Sequence, residues 1–156
     1  MFLAVWPPPD VVATLDAVPR PDVAGVRWVP DRNLHVTLRF LGDVDDVDGA
    51  QETSGDRLRA APAAAAQLGP AVDRFGNRVL HVPVAGLDDL ARAVREPDDP
   101  PFRGHVTLAR SRGARLAPLT GAPVSARWPV GEVTLVASHL GTGPSAYQVV
   151  ARFLLR

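Results

Sequence analysis

The chain has 156 residues, enough for one domain with a sizeable core, and its 17 basic and 17 acidic residues give a formal net charge of zero. That balance excludes a protein that coats nucleic acid along its phosphates, so any RNA or nucleotide contact is local. The absence of cysteine excludes disulfides, thiolate metal sites and a cysteine nucleophile.

Residues 1–6, MFLAVW, form a short apolar run ended by three prolines, which predicts a buried strand and a turn. Asp10 then stands where it can cap a helix running to Val18. The same segment has no basic leader and is too short for a signal peptide or membrane span, which implies a cytoplasmic protein without membrane attachment. Residues 25–30 and 34–41 read as strands separated by Asp31, Arg32 and Asn33, with clear alternation in the second. From Asp43 to Gly69 the chain is acidic and then alanine-rich, which predicts helix, interrupted at Gly49, Gly55 and Pro62.

Residues 71–76 and 78–84 read as two strands around a Gly-Asn turn, and residues 86–96 as a short amphipathic helix ended by Pro97. A strand opening at His105 follows. Beyond a loop rich in Gly, Pro and Arg, residues 131–140 and 146–155 predict a hairpin about the segment GTGPS. The order strand, helix, two strands thus occurs about once per half. This suggests a single domain, residues 1–156, made of two duplicated lobes.

The tetrapeptide HVTL occurs twice, at His35–Leu38 and His105–Leu108. In a strand, His35 and Thr37 share one face while Val36 and Leu38 face a core, and the second copy keeps that register. If the lobes face each other, two imidazoles and two hydroxyls meet in a cleft. One neutral and one protonated imidazole can act as general base and general acid. Two threonine hydroxyls can hold the nonbridging oxygens of a phosphate. This is equipment for in-line attack on a phosphodiester, and a cyclic phosphate suits it best because the leaving alkoxide needs a proton. A zinc site would need three or four ligands at metal-like spacing, which H-x-T does not supply.

The segments LHVTLRFLG and FRGHVTLAR resemble the paired H-x-T motifs of the 2H phosphoesterase superfamily, and the longer matches resemble its RNA 2′,3′-cyclic phosphodiesterases, also called 2′-5′ RNA ligases. FLAV and RWVP before the first motif and VTLVASHLGTGPSAYQVVARFLL after the second extend the likeness over nearly the whole chain, weakest between Asp43 and Gly69. The resemblance implies a bilobal α+β fold, with two antiparallel-sheet lobes about a pseudo-twofold cleft and helices outside. It implies hydrolysis of a terminal 2′,3′-cyclic phosphate without metal or other cofactor, on RNA 3′ ends or nucleotides, with no obligate protein partner. His35 would be the acid, His105 the base, and Thr37 and Thr107 the phosphate binders.

By the same resemblance Phe40 and Arg110, each five residues after its histidine, flank the terminal base. Strict alternation argues otherwise: it puts Phe40 with Val36 and Leu38 in the core, and Arg110 has the same parity problem. Only a bend would turn them to the cleft. Gly104 stands where the family usually has proline. His81 is a candidate to line the cleft, His139 falls at the hairpin end, and Arg39 and Arg103 add positive potential or are simply solvated. Trp6, Trp28 and Trp128 read as packing residues. The alternatives are a 2H phosphodiesterase acting on a small cyclic nucleotide or an ADP-ribose cyclic phosphate, and a non-catalytic RNA-end-binding module.

Overall fold

The computed structural model describes residues 1–139 and 141–156, so Leu140, the last residue of one predicted strand, lies outside the described residues. Strand β1 (Phe2–Val5) leads through a proline turn into helix α1 (Pro9–Asp16), and β2 (Val26–Trp28) and β3 (Val36–Phe40) follow. Helix α2 (Val47–Arg59) precedes β4 (Ala64–Leu68), β5 (Asp73–Phe75) and β6 (Val79–Ala85). Helix α3 (Asp88–Val94), β7 (His105–Ser111), β8 (Ala126–Val130), β9 (Glu132–His139) and β10 (Ala146–Leu154) complete the order. The protein is a mixed α+β fold built on a curled antiparallel sheet, with three α-helices among the described residues. Among the described residues no helix is long and apolar enough to cross a membrane.

The main strand path is β10-β9-β1-β3-β7-β6-β4-β8, with β2 added to β7 and β5 to β6. Four strands lie on each side of the β3–β7 junction, where Val36 pairs with Val106. The two HVTL strands therefore meet antiparallel at the centre of the sheet. The sides are not the two halves of the chain, because the C-terminal pair β9–β10 joins β1 and β3, while α1 packs against β8.

Three local predictions give way to tertiary context. Helix α1 begins at Pro9 with Pro8 as N-cap, so Asp10 lies in the first turn and makes no side-chain cap. Proline suits that start because it lacks the N–H that a first turn leaves unpaired. The segment AAAQL is strand β4 instead of helix, because it pairs with both β8 and β6 and alternates buried Ala66 and Leu68 with exposed Ala65 and Gln67. Sheet partners override the alanine propensity. Strand β8, read in sequence as loop, contains Pro129, which is tolerated because β8 ends the strand path.

Gly49 and Gly55 do not break α2. Asp46 caps it by accepting from the Gly49 N–H at 2.9 Å, and a Cβ at Gly55 would lie 3.3 Å from the Phe153 ring of β10. The main core joins Leu3 and Val5 of β1, Val36 and Leu38 of β3 and Val106 and Leu108 of β7 to the apolar faces of the helices. Phe2, Ala4 and Val136 form a separate small cluster with Trp6 and Tyr147 on the other face of the sheet.

Candidate active site

The two histidines are set by the same local device. His35 Nδ1 lies 2.7 Å from the carbonyl oxygen of Asn33, and His105 Nδ1 lies 2.6 Å from that of Arg103, in each case two residues upstream. A carbonyl can only accept, so Nδ1 carries the hydrogen and the neutral ring keeps its lone pair on Nε2. His35 Nε2 accepts from the Thr37 hydroxyl at 3.1 Å. Both histidines and both threonines line one cavity of about 430 Å³.

Each imidazole is packed among rings. His35 stacks on Phe2 at 4.9 Å and touches Trp6 and, edge-on, Tyr147 at 5.4 Å. His105 meets Phe75 edge-on at 4.9 Å. This burial lowers the pKa of both histidines; the carbonyl bonds oppose it, and the Arg110 cation reinforces it at both rings. Each ring is thereby biased toward the neutral, proton-accepting form in the absence of an anion.

Phe40 is 70% exposed and Arg110 is exposed, and both line the cavity, contrary to strict alternation. The cause is a β-bulge in each HVTL strand. Against β1, Thr37 pairs with Ala4 and Arg39 with Leu3, leaving Leu38 unmatched. Against β6, Thr107 pairs with His81 and Ala109 with Leu80, leaving Leu108 unmatched. The extra residue shifts the following side chains by one position, so Thr37 and Phe40, and likewise Thr107 and Arg110, share the cleft face.

The remaining candidates divide. His81 is buried, 3% exposed, beneath the Phe75 ring at 3.9 Å and 5.3 Å from His105, and does not line the cavity. Among the described residues neither of its ring nitrogens has a hydrogen-bond partner. Burial foremost, then the nearby His105, lowers its pKa to about 4; Asp73 and the Arg74 main chain only partly offset this. The Arg74 main chain acts on the ring without meeting hydrogen-bond geometry. His139 ends β9 and bonds Gln148.

Arg39 is no free cation: its Nε lies 2.8 Å from Asp99, and it donates to the Val94 carbonyl. This clamp anchors the cavity wall from Asp99 to Arg103. The Glu96 N–H, followed by Arg39, holds the Asp99 carboxyl below its usual pKa. Arg103 stands over Phe75 at 5.2 Å. Trp128 is buried and Trp28 bonds the Pro21 carbonyl, both packing roles, whereas Trp6 also contacts His35 and bonds Thr134. Gly104 has a steric cause, since a Cβ there would lie 2.3 Å from the Val84 carbonyl oxygen.

Phe2, Phe75 and Tyr147 line the cavity without having been singled out in the sequence. Phe2 shares the cleft face with Ala4, a parity readable only once the β1–β3 pairing is known. Tyr147 and Phe75 carry no local signal. Among the described residues no group of three or more His, Asp or Glu side chains is placed to hold a metal.

A family model for the 2′-5′ RNA ligase superfamily matches residues 7–142. An RNA 2′,3′-cyclic phosphodiesterase of Thermus thermophilus is 31% identical over 183 aligned positions, covering 100% of this chain and 90% of that protein. One of Aeropyrum pernix is 32% identical over 112 positions, covering 60% and 61%. Among solved structures, TT0787 of Thermus thermophilus has a TM-score of 0.79 at 31% identity, covering 99% of this chain and 97% of that one. Escherichia coli LigT complexed with 3′-AMP has a TM-score of 0.77 at 28% identity, covering 99% and 96%. Doubled H-x-T strands, a shared cavity and these likenesses over the length of the chain agree: it belongs to the 2′-5′ RNA ligase superfamily.

Proposed function

We propose that the protein hydrolyses a terminal 2′,3′-cyclic phosphate on RNA to a 2′-phosphomonoester, with His35 and His105 as the proton-transfer pair and no metal. The observation that carries this is the matched setting of the two imidazoles, each with Nδ1 held by a carbonyl, on one cavity.

Water attacks phosphorus in line with the departing 3′ oxygen. His105 Nε2 takes the water proton as the P–O bond forms, and the Nε2–H of protonated His35 gives its proton to the 3′ oxygen as that bond breaks. The Thr37 and Thr107 hydroxyls donate to the nonbridging oxygens, where charge accumulates. The cyclic phosphate is itself an anion and favours the protonated form of His35, opposing the burial that lowers its pKa. Phe40 and Arg110 flank the terminal base. A 5′-hydroxyl in place of water, deprotonated by His105, opens the same ring to form a 2′-5′ linkage, with His35 again giving its proton to the departing 3′ oxygen.

The test is incubation of purified protein in EDTA with a short RNA bearing a 2′,3′-cyclic phosphate, followed by identification of the product isomer and its sensitivity to a phosphomonoesterase. Opening to the 2′-phosphate supports the proposal. No opening, or opening only after zinc or manganese is restored, contradicts it.

A further inference from the structure

Arginines in this neutral chain differ sharply in their partners. Arg20, Arg39, Arg57, Arg59, Arg92 and Arg152 each have a carboxylate within 4.0 Å. Among the described residues Arg27, Arg110 and Arg112 have neither a carboxylate partner nor a side-chain hydrogen bond; Arg32, Arg78, Arg103, Arg115, Arg127 and Arg156 share that lack, so it is placement that sets the three apart. All three are exposed.

They also stand together. Arg27 of β2 is the direct cross-strand partner of Arg110 of β7. Directly opposed residues of an antiparallel pair share a face, so Arg27 is on the cleft face beside the cavity that Arg110 lines. Arg112 lies two residues beyond Arg110, and its N–H continues the ladder to the Gly25 carbonyl at 2.8 Å, which returns it to the same face. Gly25 permits that approach: its φ is +84°, and a Cβ there would lie 2.5 Å from the Arg112 carbonyl oxygen. Like charges set directly opposite each other oppose sheet formation. The opposition is relieved when phosphates lie between them.

We propose that Arg27 and Arg112 extend the site from the terminal nucleotide onto the body of a single-stranded RNA, whose phosphates follow the cleft face of β7 outward past Arg110 and across β2. This rests on the cyclic phosphodiesterase reading and makes the substrate an oligonucleotide, in preference to a mononucleotide, which has no further phosphate to place there, or an ADP-ribose cyclic phosphate, whose one diphosphate supplies no run of phosphates along the strip.

The experiment measures kcat/KM at 50–300 mM salt on a nucleoside 2′,3′-cyclic monophosphate and on a hexaribonucleotide with the same terminus, for the wild type and Arg27→Gln/Arg112→Gln. The hexamer is expected to be used at least about tenfold better by the wild type. The double variant should lose most of that advantage and flatten the log–log salt slope by about 1.4, as for two single-strand phosphate contacts, while its mononucleotide rate is unchanged. A wild-type salt slope in the double variant, or equal use of both substrates by the wild type, overturns the inference. If the wild type opens neither substrate, the phosphodiesterase reading fails. Fluorescence anisotropy with a labelled hexamer bearing a 3′-phosphate then decides the strip separately: weaker, less salt-dependent binding by the double variant supports it, and unchanged binding refutes it.

Discussion

Leu38 and Leu108 hold the same station in their strands, each the unmatched residue of a β-bulge three places after its histidine. Both are buried, at 0% and 1% exposure, so the core anchors the bulges. Because the bulge lies between Thr37 and Phe40, and between Thr107 and Arg110, one irregularity per strand brings Phe40 and Arg110 to the face of Thr37 and Thr107.

Phe40 is consequently a surface residue of the cleft, and Phe40→Ala is expected to change stability by no more than about 0.5 kcal/mol. A buried phenylalanine would cost ~3–5 kcal/mol. Loss of stacking should lower kcat/KM on nucleotide substrates by roughly one to two orders of magnitude, with little effect on a base-free ribose cyclic phosphate; Arg110→Ala should behave alike. Denaturant melts and the two substrates give the answer. Equal losses on both substrates would deny a base contact.

The pH profile follows from the direction of the histidine shifts. Burial lowers both pKa values from 6.5, so the acid that must carry a proton loses it before neutrality in the free enzyme. The profile of kcat/KM is expected to peak on the acid side of pH 6.5 and to fall on the alkaline side, with the optimum of kcat displaced upward because the bound anion favours protonation. An optimum of kcat/KM on the alkaline side of pH 6.5 would contradict the burial-dominated account.

His81 makes a separate prediction about stability. Its folded pKa of about 4 lies below the ordinary 6.5, so the unfolded chain binds the proton first and stability is lost as pH falls from about 6.5 toward 4. The linkage is worth on the order of 2–3 kcal/mol between about pH 7.5 and 4.5. His81→Leu removes both unpartnered nitrogens and should abolish that component while raising stability at neutral pH. Denaturant curves of both proteins at the two pH values check the sign; an identical pH dependence would show that His81 is not the group responsible.

At Gly104 a Cβ would meet the Val84 carbonyl, and the Val84 N–H bonds the Gly104 carbonyl at 2.8 Å, so this edge cannot move freely. Gly104→Ala is therefore expected to cost about 1–3 kcal/mol and to disturb His105, the next residue. Thermal melts together with kcat on a cyclic nucleotide measure both effects. A variant as stable and active as the wild type would mean that the backbone adjusts without strain.

The meeting of His35, Thr37, His105 and Thr107 on one cavity was legible because alternation, repetition and residue chemistry all point to the same four positions. Phe40 and Arg110 were legible only by resemblance, since a bulge changes parity without any marker at Leu38 or Leu108. Strand β4 was obscured because AAAQL has helical composition and becomes a strand only through β6 and β8. The aromatic surroundings of His35 depend on Phe2, Trp6 and Tyr147, which come from opposite ends of the chain and meet only when β9 and β10 join β1. His81 shows the same limit: RVLHVPV specifies a strand, but nothing in it says that Phe75 will cover the ring.

The most direct test of the central claim is single-turnover opening of a 2′,3′-cyclic phosphate-ended RNA in EDTA by His35→Ala and His105→Ala, each first checked for a native melting transition. Each variant is expected to be slower by on the order of 10² to 10⁴, with Thr37→Ala and Thr107→Ala losing less. A folded histidine variant that opens the cyclic phosphate at the wild-type rate would contradict the paired acid–base mechanism.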